Sequence, residues 1–106
     1  MDISVVCPFY NEAEIIESAI TQMLTQLSSL DAEWELIVVN DGSTDGSEQI
    51  AQKLAMQCPR LRALGYRFNR GRGYALRAGI AAARGEIIVT TEIDLSWGER
   101  IVHDLV

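Results

Sequence analysis

The sequence predicts an α/β protein built on a parallel sheet, and three observations predict it. Three short apolar runs, around Ile3–Cys7, Leu36–Val39 and Ile87–Val89, are too short for helices and rich in β-branched residues, and Leu61–Tyr66 reads as a further, weaker strand. Between them lie three longer stretches that read as helices, with apolar or small residues on one side. Strand and helix alternate, which is the pattern of repeated right-handed β-α-β units with helices on both faces of one sheet.

Each element has its own signals. The first strand begins almost at the first residue, and Pro8 is expected to stop its ladder. Asn11 is expected to cap the first helix, with Glu14 at the reciprocal capping-box position. Ile16, Ile20, Met23, Leu27 and Leu30 then recur at helical spacing, so that helix is expected to reach about Leu30. The second strand ends at Asn40 and opens into the turn-rich Asp41-Gly42-Ser43-Thr44-Asp45-Gly46. Asp45 or Ser43 can cap the second helix, which has Glu48 in its first turn and Ile50, Ala51, Leu54 and Ala55 on its inner face. Pro59 marks its end. Arg67–Arg72 is a basic, glycine-containing loop after the third strand. The third helix, from about Gly73 to Arg84, is rich in alanine, and Gly79 lets it lie close to the sheet. Gly85 precedes the fourth strand, read as buried on both faces. Ser96, with Glu99 three residues on, reads as the start of another helix.

Bulk properties narrow the function. The 106 residues hold one domain or part of one, and a hydrophobic content of 48% with 23% charged residues is ordinary for a globular protein. A net charge of −6 argues against nonspecific binding to nucleic acid or to an anionic membrane, while local arginines and a metal remain able to hold a phosphorylated ligand. Cys7 and Cys58 form neither a disulfide framework nor a zinc site, so a reducing cytoplasm is the expected location. No apolar run approaches the roughly 20 residues of a bilayer span, and no signal peptide is read. His103, the single histidine, reads as a surface residue.

The chemistry gathers at the strand ends. Pro8, Tyr10 and Glu12 follow the first strand, Asp41 the second, Arg67, Arg70 and Arg72 the third, and Glu92 and Asp94 the fourth. In an open parallel sheet the carboxyl ends of the strands are where ligands bind. Two neighbouring carboxylates repel unless a cation sits between them, and oxygen donors suit Mg²⁺ or Mn²⁺ carrying a phosphorylated ligand. Each residue taken alone has a plainer reading, Asp41 as a turn former and the arginines as solvated surface, but four coincidences at one edge outweigh it. Competing motifs fail. Arg70-Gly71-Arg72-Gly73 lacks the third glycine of a dinucleotide fingerprint, since Leu76 stands there. An EF-hand loop starting at Asp41 would end at Gln52 rather than glutamate and follows a strand. A phosphoacceptor receiver domain would need acids after the first strand and a late lysine, and Lys53 is the only lysine.

Ser4-Val5-Val6-Cys7-Pro8-Phe9-Tyr10-Asn11-Glu12 resembles the opening of family 2 glycosyltransferases of the GT-A fold. Val38–Asp45 is similar to their second-strand motif and Asn69–Gly79 to their third, and Glu92-Ile93-Asp94 falls where they carry Asp-x-Asp. Within the family the pattern is most similar to dolichyl- or polyprenyl-phosphate sugar transferases. The resemblance implies a three-layer Rossmann-like sheet in strand order 3-2-1-4, the N-terminal part of a GT-A domain. It implies inverting transfer of a sugar from a nucleotide diphosphate sugar to a lipid phosphate or a saccharide. Pro8, Tyr10 and Glu12 would border the nucleoside, Asp41 would accept a hydrogen bond from the base, and Arg70 and Ile93 would complete the nucleotide-sugar site. Asp94, with Glu92, would hold Mg²⁺ or Mn²⁺. Glu92 departs from the usual aspartate, and its extra methylene moves the carboxylate by roughly a bond length.

No residue among the 106 serves as general base for an acceptor hydroxyl, so the base and the acceptor site are expected beyond Val106, in a longer protein at the cytoplasmic face of a membrane. The competing expectation is a noncatalytic α/β binding or assembly module that retains the scaffold. The fourth strand is expected to leave an open edge, with Trp97, Ile101, Val102 and Leu105 partly exposed, and so to drive homo-oligomerisation.

Overall fold

The four expected strands and the three helices between them form in a computed structural model that describes residues 1–93. The order is β1 (Ile3–Phe9), α1 (Ile16–Leu27), β2 (Trp34–Asp41), α2 (Ser47–Gln57), β3 (Leu61–Tyr66), α3 (Arg72–Ala82) and β4 (Ile87–Thr90). The strands make one parallel sheet in the order β3-β2-β1-β4, as expected. Val5 of β1 pairs with Leu36 on one side and Val89 on the other, and Leu36 pairs in turn with Leu61.

Period-two alternation divides the core into two layers. Ile3, Val5, Cys7 and Phe9 of β1 and Trp34, Leu36 and Val38 of β2 share one core with Ile16, Ala19, Ile20, Met23 and Leu27 of α1 and Ala51 of α2. Val6, Ile37 and Val39 belong to the other core, with Ala75 of α3. All residues of β1 and β2 are buried, which is why they read as unbroken apolar runs. Each fully buried isoleucine or leucine, such as Ile20 or Leu36, contributes about 2 kcal/mol of transfer free energy. α3 approaches the sheet closely. A Cβ on Gly79 would lie 2.3 Å from Val6 Cγ1, a distance no real side chain tolerates.

Several local expectations are corrected. Pro8 does not end β1 but lies within it, opposite Val39. The Asp2 and Val6 carbonyls accept from Ile87 and Thr91, so the even-numbered residues of β1 turn their backbone groups toward β4. The missing Pro8 donor therefore falls past the last β1–β4 pair, Val6 with Thr90, and costs no ladder bond. Asn11 does not cap α1 and Glu14 completes no capping box, because α1 starts at Ile16 with no side-chain cap. Asn11 sits instead in the left-handed region, φ 52°, and its Oδ1 accepts from the Thr44 amide at 2.8 Å. α1 stops at Leu27 rather than Leu30. There the Ser28 and Ser29 hydroxyls turn back onto the Thr25 and Gln26 carbonyls and compete with the helical pattern. β4 is not covered on both faces among the described residues. Among the described residues it pairs only with β1, and Ile87 is 56% and Ile88 40% exposed. The helix expected from Ser96, His103 and the apolar residues Trp97, Ile101, Val102 and Leu105 lie outside the described residues.

A polar knot fixes the amino-terminal end of the sheet. Glu35, 2% exposed, accepts from the Ser4 hydroxyl at 2.6 Å, from Arg62 Nη1 at 3.0 Å and from the Arg84 amide at 2.8 Å. Arg62 Nη1 also donates to the Ala82 carbonyl at the end of α3, and Ser4 Oγ accepts from the Gly85 amide. One carboxylate thus joins β1, β2, β3 and the α3–β4 connection. Burial pushes the Glu35 carboxyl up, but the bonds from Ser4, the Arg84 amide and Arg62 outweigh it and hold it below its ordinary value. A depressed folded value means that its stabilisation is present above the ordinary value of 4.5 and lost as pH falls through the folded value. Glu35→Gln removes the charge that Arg62 faces and is expected to cost about 3 kcal/mol. Urea unfolding at pH 7 and at pH 3 checks this: the variant should be less stable at pH 7, with the gap narrowing at pH 3. Equal midpoints at pH 7 would show that the knot does not hold the sheet.

Candidate nucleotide-binding cleft

The carboxyl ends of β1, β2 and β4 and the start of α3 enclose a cleft of about 230 Å³. Pro8, Phe9, Tyr10, Glu12, Asp41, Arg72, Glu92 and Ile93 line it. The strand order reverses between β1 and β4, which is where an open α/β sheet presents its ligand crevice. A wider depression of about 930 Å³ lies at the opposite end, around Leu24, Trp34, Cys58 and Arg60. It gathers no comparable set of groups from several strand ends, so the smaller cleft is the stronger candidate.

Of the residues singled out by sequence, Pro8, Tyr10, Glu12, Asp41, Glu92 and Ile93 meet in this cleft. Arg70 does not line it. Its guanidinium lies over the Tyr74 ring, 5.1 Å from the centroid, and only its amide reaches toward Asp41. Arg72 lines the cleft instead, and its Nε stands 3.0 Å from Glu92 Oε1. That pair bridges the start of α3 and the end of β4. Both side chains are more than half exposed, so the pair is weakly held and open to exchange. The extra methylene that distinguishes Glu92 from aspartate belongs to the arm that reaches Arg72. Asp94 lies outside the described residues.

The loop after β2 holds its two neighbours with carboxylates and hydroxyls. Asp41, 4% exposed, accepts at Oδ1 from the Tyr66 hydroxyl at 2.6 Å and the Arg70 amide at 2.9 Å. At Oδ2 it accepts from Asn69 Nδ2 at 3.0 Å and the Gly71 amide at 3.1 Å. Burial, the bond to Asp41 and the charge on Asp41 all push the Tyr66 hydroxyl upward, so it stays a donor at neutral pH. Gly42, at φ +74°, lies so close beneath the next loop that a Cβ there would be 2.2 Å from the Asn69 nitrogen. On the other side Asp45 accepts from the Ala13 amide, Ser47 from the Glu12 amide and Ser43 from the Asn11 amide, each at about 3 Å. Asp45 also accepts the Ser47 amide and so satisfies the first turn of α2, although Gly46 is the residue at the cap position.

Sequence reasoning missed Tyr66 and Asn69 as partners of Asp41, and of the three arginines it placed after the third strand it assigned Arg70 to the nucleotide-sugar site, where Arg72 lines the cleft. The clue available was that Asn69-Arg70-Gly71 sits at a strand end, where backbone donors need acceptors. Among the described residues no three of His, Cys, Asp and Glu gather as a metal site. Glu92 supplies a hard oxygen donor at the cleft, the type that Mg²⁺ and Mn²⁺ take.

Comparison with known proteins agrees with this architecture. The family model described as glycosyl transferase family 2 matches residues 4–106. A dolichyl-phosphate beta-glucosyltransferase of Trichomonas vaginalis is 36% identical over 94 residues, spanning 84% of this chain and 28% of that protein. The mannosyltransferase of Pyrobaculum calidifontis, solved with GDP-Man and Mn²⁺, superposes with a TM-score of 0.71 at 32% identity, over 87% of this chain and 27% of that one. Glucosyl-3-phosphoglycerate synthase of Mycobacterium tuberculosis, solved with Mn²⁺, UDP and glucosyl-3-phosphoglycerate, gives 0.68 at 33% identity, over 88% and 33%. The chain spans 17–33% of the length of the curated relatives it matches. Strand order, cleft position and these likenesses converge: the chain belongs to glycosyl transferase family 2.

Proposed function

We propose that this chain is the donor-binding part of a metal-assisted, inverting glycosyltransferase that takes a sugar from a nucleotide diphosphate sugar. The observation that carries the reading is the meeting of Tyr10, Glu12, Asp41, Arg72 and Glu92 in one cleft at the carboxyl edge of the sheet. Structural neighbours solved with GDP-Man or UDP and with Mn²⁺ support it. In this reading Pro8, Tyr10 and Glu12 border the nucleoside, Ile93 flanks the sugar, and Arg70 steadies the loop beside the nucleotide. Arg72 swings from Glu92 to the diphosphate, for which a guanidinium is well shaped. Asp94, with Glu92 beside it, holds Mg²⁺ or Mn²⁺, which offsets charge on the leaving nucleotide. The general base and the acceptor site belong to a longer protein. A relative that acts on dolichyl phosphate favours a lipid phosphate over a saccharide as acceptor, and with it a place at the cytoplasmic face of a membrane. No helix of the described residues is long and apolar enough to cross a membrane.

Calorimetry on this chain tests the reading. A nucleoside diphosphate should bind at least tenfold more tightly with Mn²⁺ than without, and Asp94→Ala should remove the difference. Arg72→Met should weaken binding about tenfold while changing stability by less than about 1 kcal/mol, because its ion pair is exposed. No binding in wild type, with or without Mn²⁺, would favour a noncatalytic assembly module on the same scaffold.

The exposure of Ile87 and Ile88 along β4 supports a second proposal, that this chain self-associates through the β4 edge. Light scattering over a concentration series should show a rising mass. A constant monomer mass at high micromolar concentration would refute it.

A further inference from the structure

We propose that the β3–α3 loop and the first turns of α3 form a docking surface for an anionic lipid bilayer. Binding of this surface to lipid needs no nucleotide, so it stands apart from the donor-site reading.

Charge is unevenly placed along the chain. Residues 67–85 hold five of its nine lysines and arginines and none of its 15 acids. Arg67, Phe68, Asn69 and Arg70 are exposed in a row, and Tyr74 and Arg77 are exposed on α3 about one turn apart. Among the described residues no salt bridge reaches Arg67, Arg70 or Arg77. The net charge of −6 argues against an anionic surface for the molecule as a whole. Salt, however, screens exposed charges beyond about 8 Å, so a flat partner feels the arginines it touches more than the acids on the far side.

Apolar area is held out among these charges. Phe68 is 66% exposed and Tyr74 41%. The backbone that carries Phe68 lies directly on Gly42, where a Cβ would come within 2.4 Å of the Phe68 carbonyl carbon and 2.2 Å of the Asn69 nitrogen. The ring is thus presented on a pinned stretch of loop, and docking has little order to impose. An exposed aromatic ring flanked by arginines suits a water–lipid boundary, with the ring among the upper acyl carbons and the guanidiniums on the phosphates. The Arg67 guanidinium lies over the Phe68 ring, 5.5 Å from its centroid, and that of Arg70 over Tyr74 at 5.1 Å. One face of each ring is therefore taken. A nucleic-acid base, which stacks on an open ring face, would compete with these guanidiniums, whereas lipid needs only apolar area.

Each arginine at a lipid surface strengthens binding about fivefold and a buried phenylalanine about tenfold. Arg67, Arg70, Arg77 and Phe68 together give roughly a thousandfold, which makes the docking reversible and salt-sensitive. Arg72 leaves the same segment into the cleft. Docking here brings the mouth of the cleft toward the bilayer, where a lipid phosphate acceptor would lie.

Co-sedimentation of the chain with vesicles tests this, using pure phosphatidylcholine and an equal mixture of phosphatidylcholine and phosphatidylserine. Wild type should bind the mixed vesicles at least tenfold more tightly, and raising the salt severalfold should remove the difference. Phe68→Ala should weaken binding about tenfold, and Arg67→Gln and Arg77→Gln about fivefold each, with melting temperatures unchanged because these side chains are exposed. Arg60→Gln, at the opposite end of the sheet, should bind as wild type. Equal binding to both vesicles, no binding to either, or binding that Phe68→Ala and Arg67→Gln leave unchanged would overturn the proposal. Tighter binding of a single-stranded oligonucleotide, lost in the same variants, would assign the surface to nucleic acid and overturn it as well. A wild-type chain that binds the mixed vesicles but no nucleoside diphosphate would uphold the docking surface and overturn the donor-site reading instead.

Discussion

The cleft depends on one constraint: the backbone amides of two loops beside β2 need acceptors, and the end of β2, the loop after it and the first residue of α2 supply them. Buried amides without partners are costly, so a loop that crosses a sheet edge must find oxygens there. Asp41 takes the Arg70 and Gly71 amides on one side. Ser43, Asp45 and Ser47 take those of Asn11, Ala13 and Glu12 on the other. Tyr10, Glu12 and Arg72 reach the cleft from loops that these bonds hold. A segment that reads as a string of turn formers is therefore the frame of the site.

The opposite end of the sheet is tied by a single buried carboxylate, Glu35, with Arg62 as its ionic partner. The two ends divide the work. The amino-terminal knot joins β1, β2, β3 and the α3–β4 connection and leaves no free charge in its bonds. The carboxyl edge keeps an exposed ion pair, Arg72 with Glu92, that exchanges partners at little cost. The chain carries a net charge of −6, yet Arg67, Arg70, Arg72 and Arg77 follow one another with no acid among them, on the loop and helix beside the cleft. In the cleft itself Glu12, Asp41 and Glu92 outnumber Arg72, so an anionic ligand there would need a cation beside it.

Legibility from sequence followed the range of the interactions. β1 and β2 were legible because burial on both faces writes itself as a continuous apolar run, and the β-α-β alternation carried the parallel topology. The burial of β4 was misread because an identical apolar run serves an interior and an edge strand, and only the neighbours decide. Asn11 was misread as a cap because its partner, Thr44, is 33 residues away. The four donors to Asp41 come from residues 25 to 30 positions later, beyond any local pattern. Arg70 and Arg72 differ by two positions in one basic loop, and only the fold shows that the first stacks on Tyr74 while the second enters the cleft.

The proposed donor site places the ligand at the carboxyl edge, between β1 and β4. Nuclear magnetic resonance of the labelled chain with a nucleoside diphosphate and Mn²⁺ tests it most directly, because the paramagnetic ion broadens signals of nearby residues. Binding at the carboxyl edge should broaden Tyr10, Glu12, Asp41, Arg72, Glu92 and Ile93 and leave Leu24, Trp34, Cys58 and Arg60 unaffected. Broadening centred on Trp34 and Arg60, in the wider depression at the other end of the sheet, would contradict it.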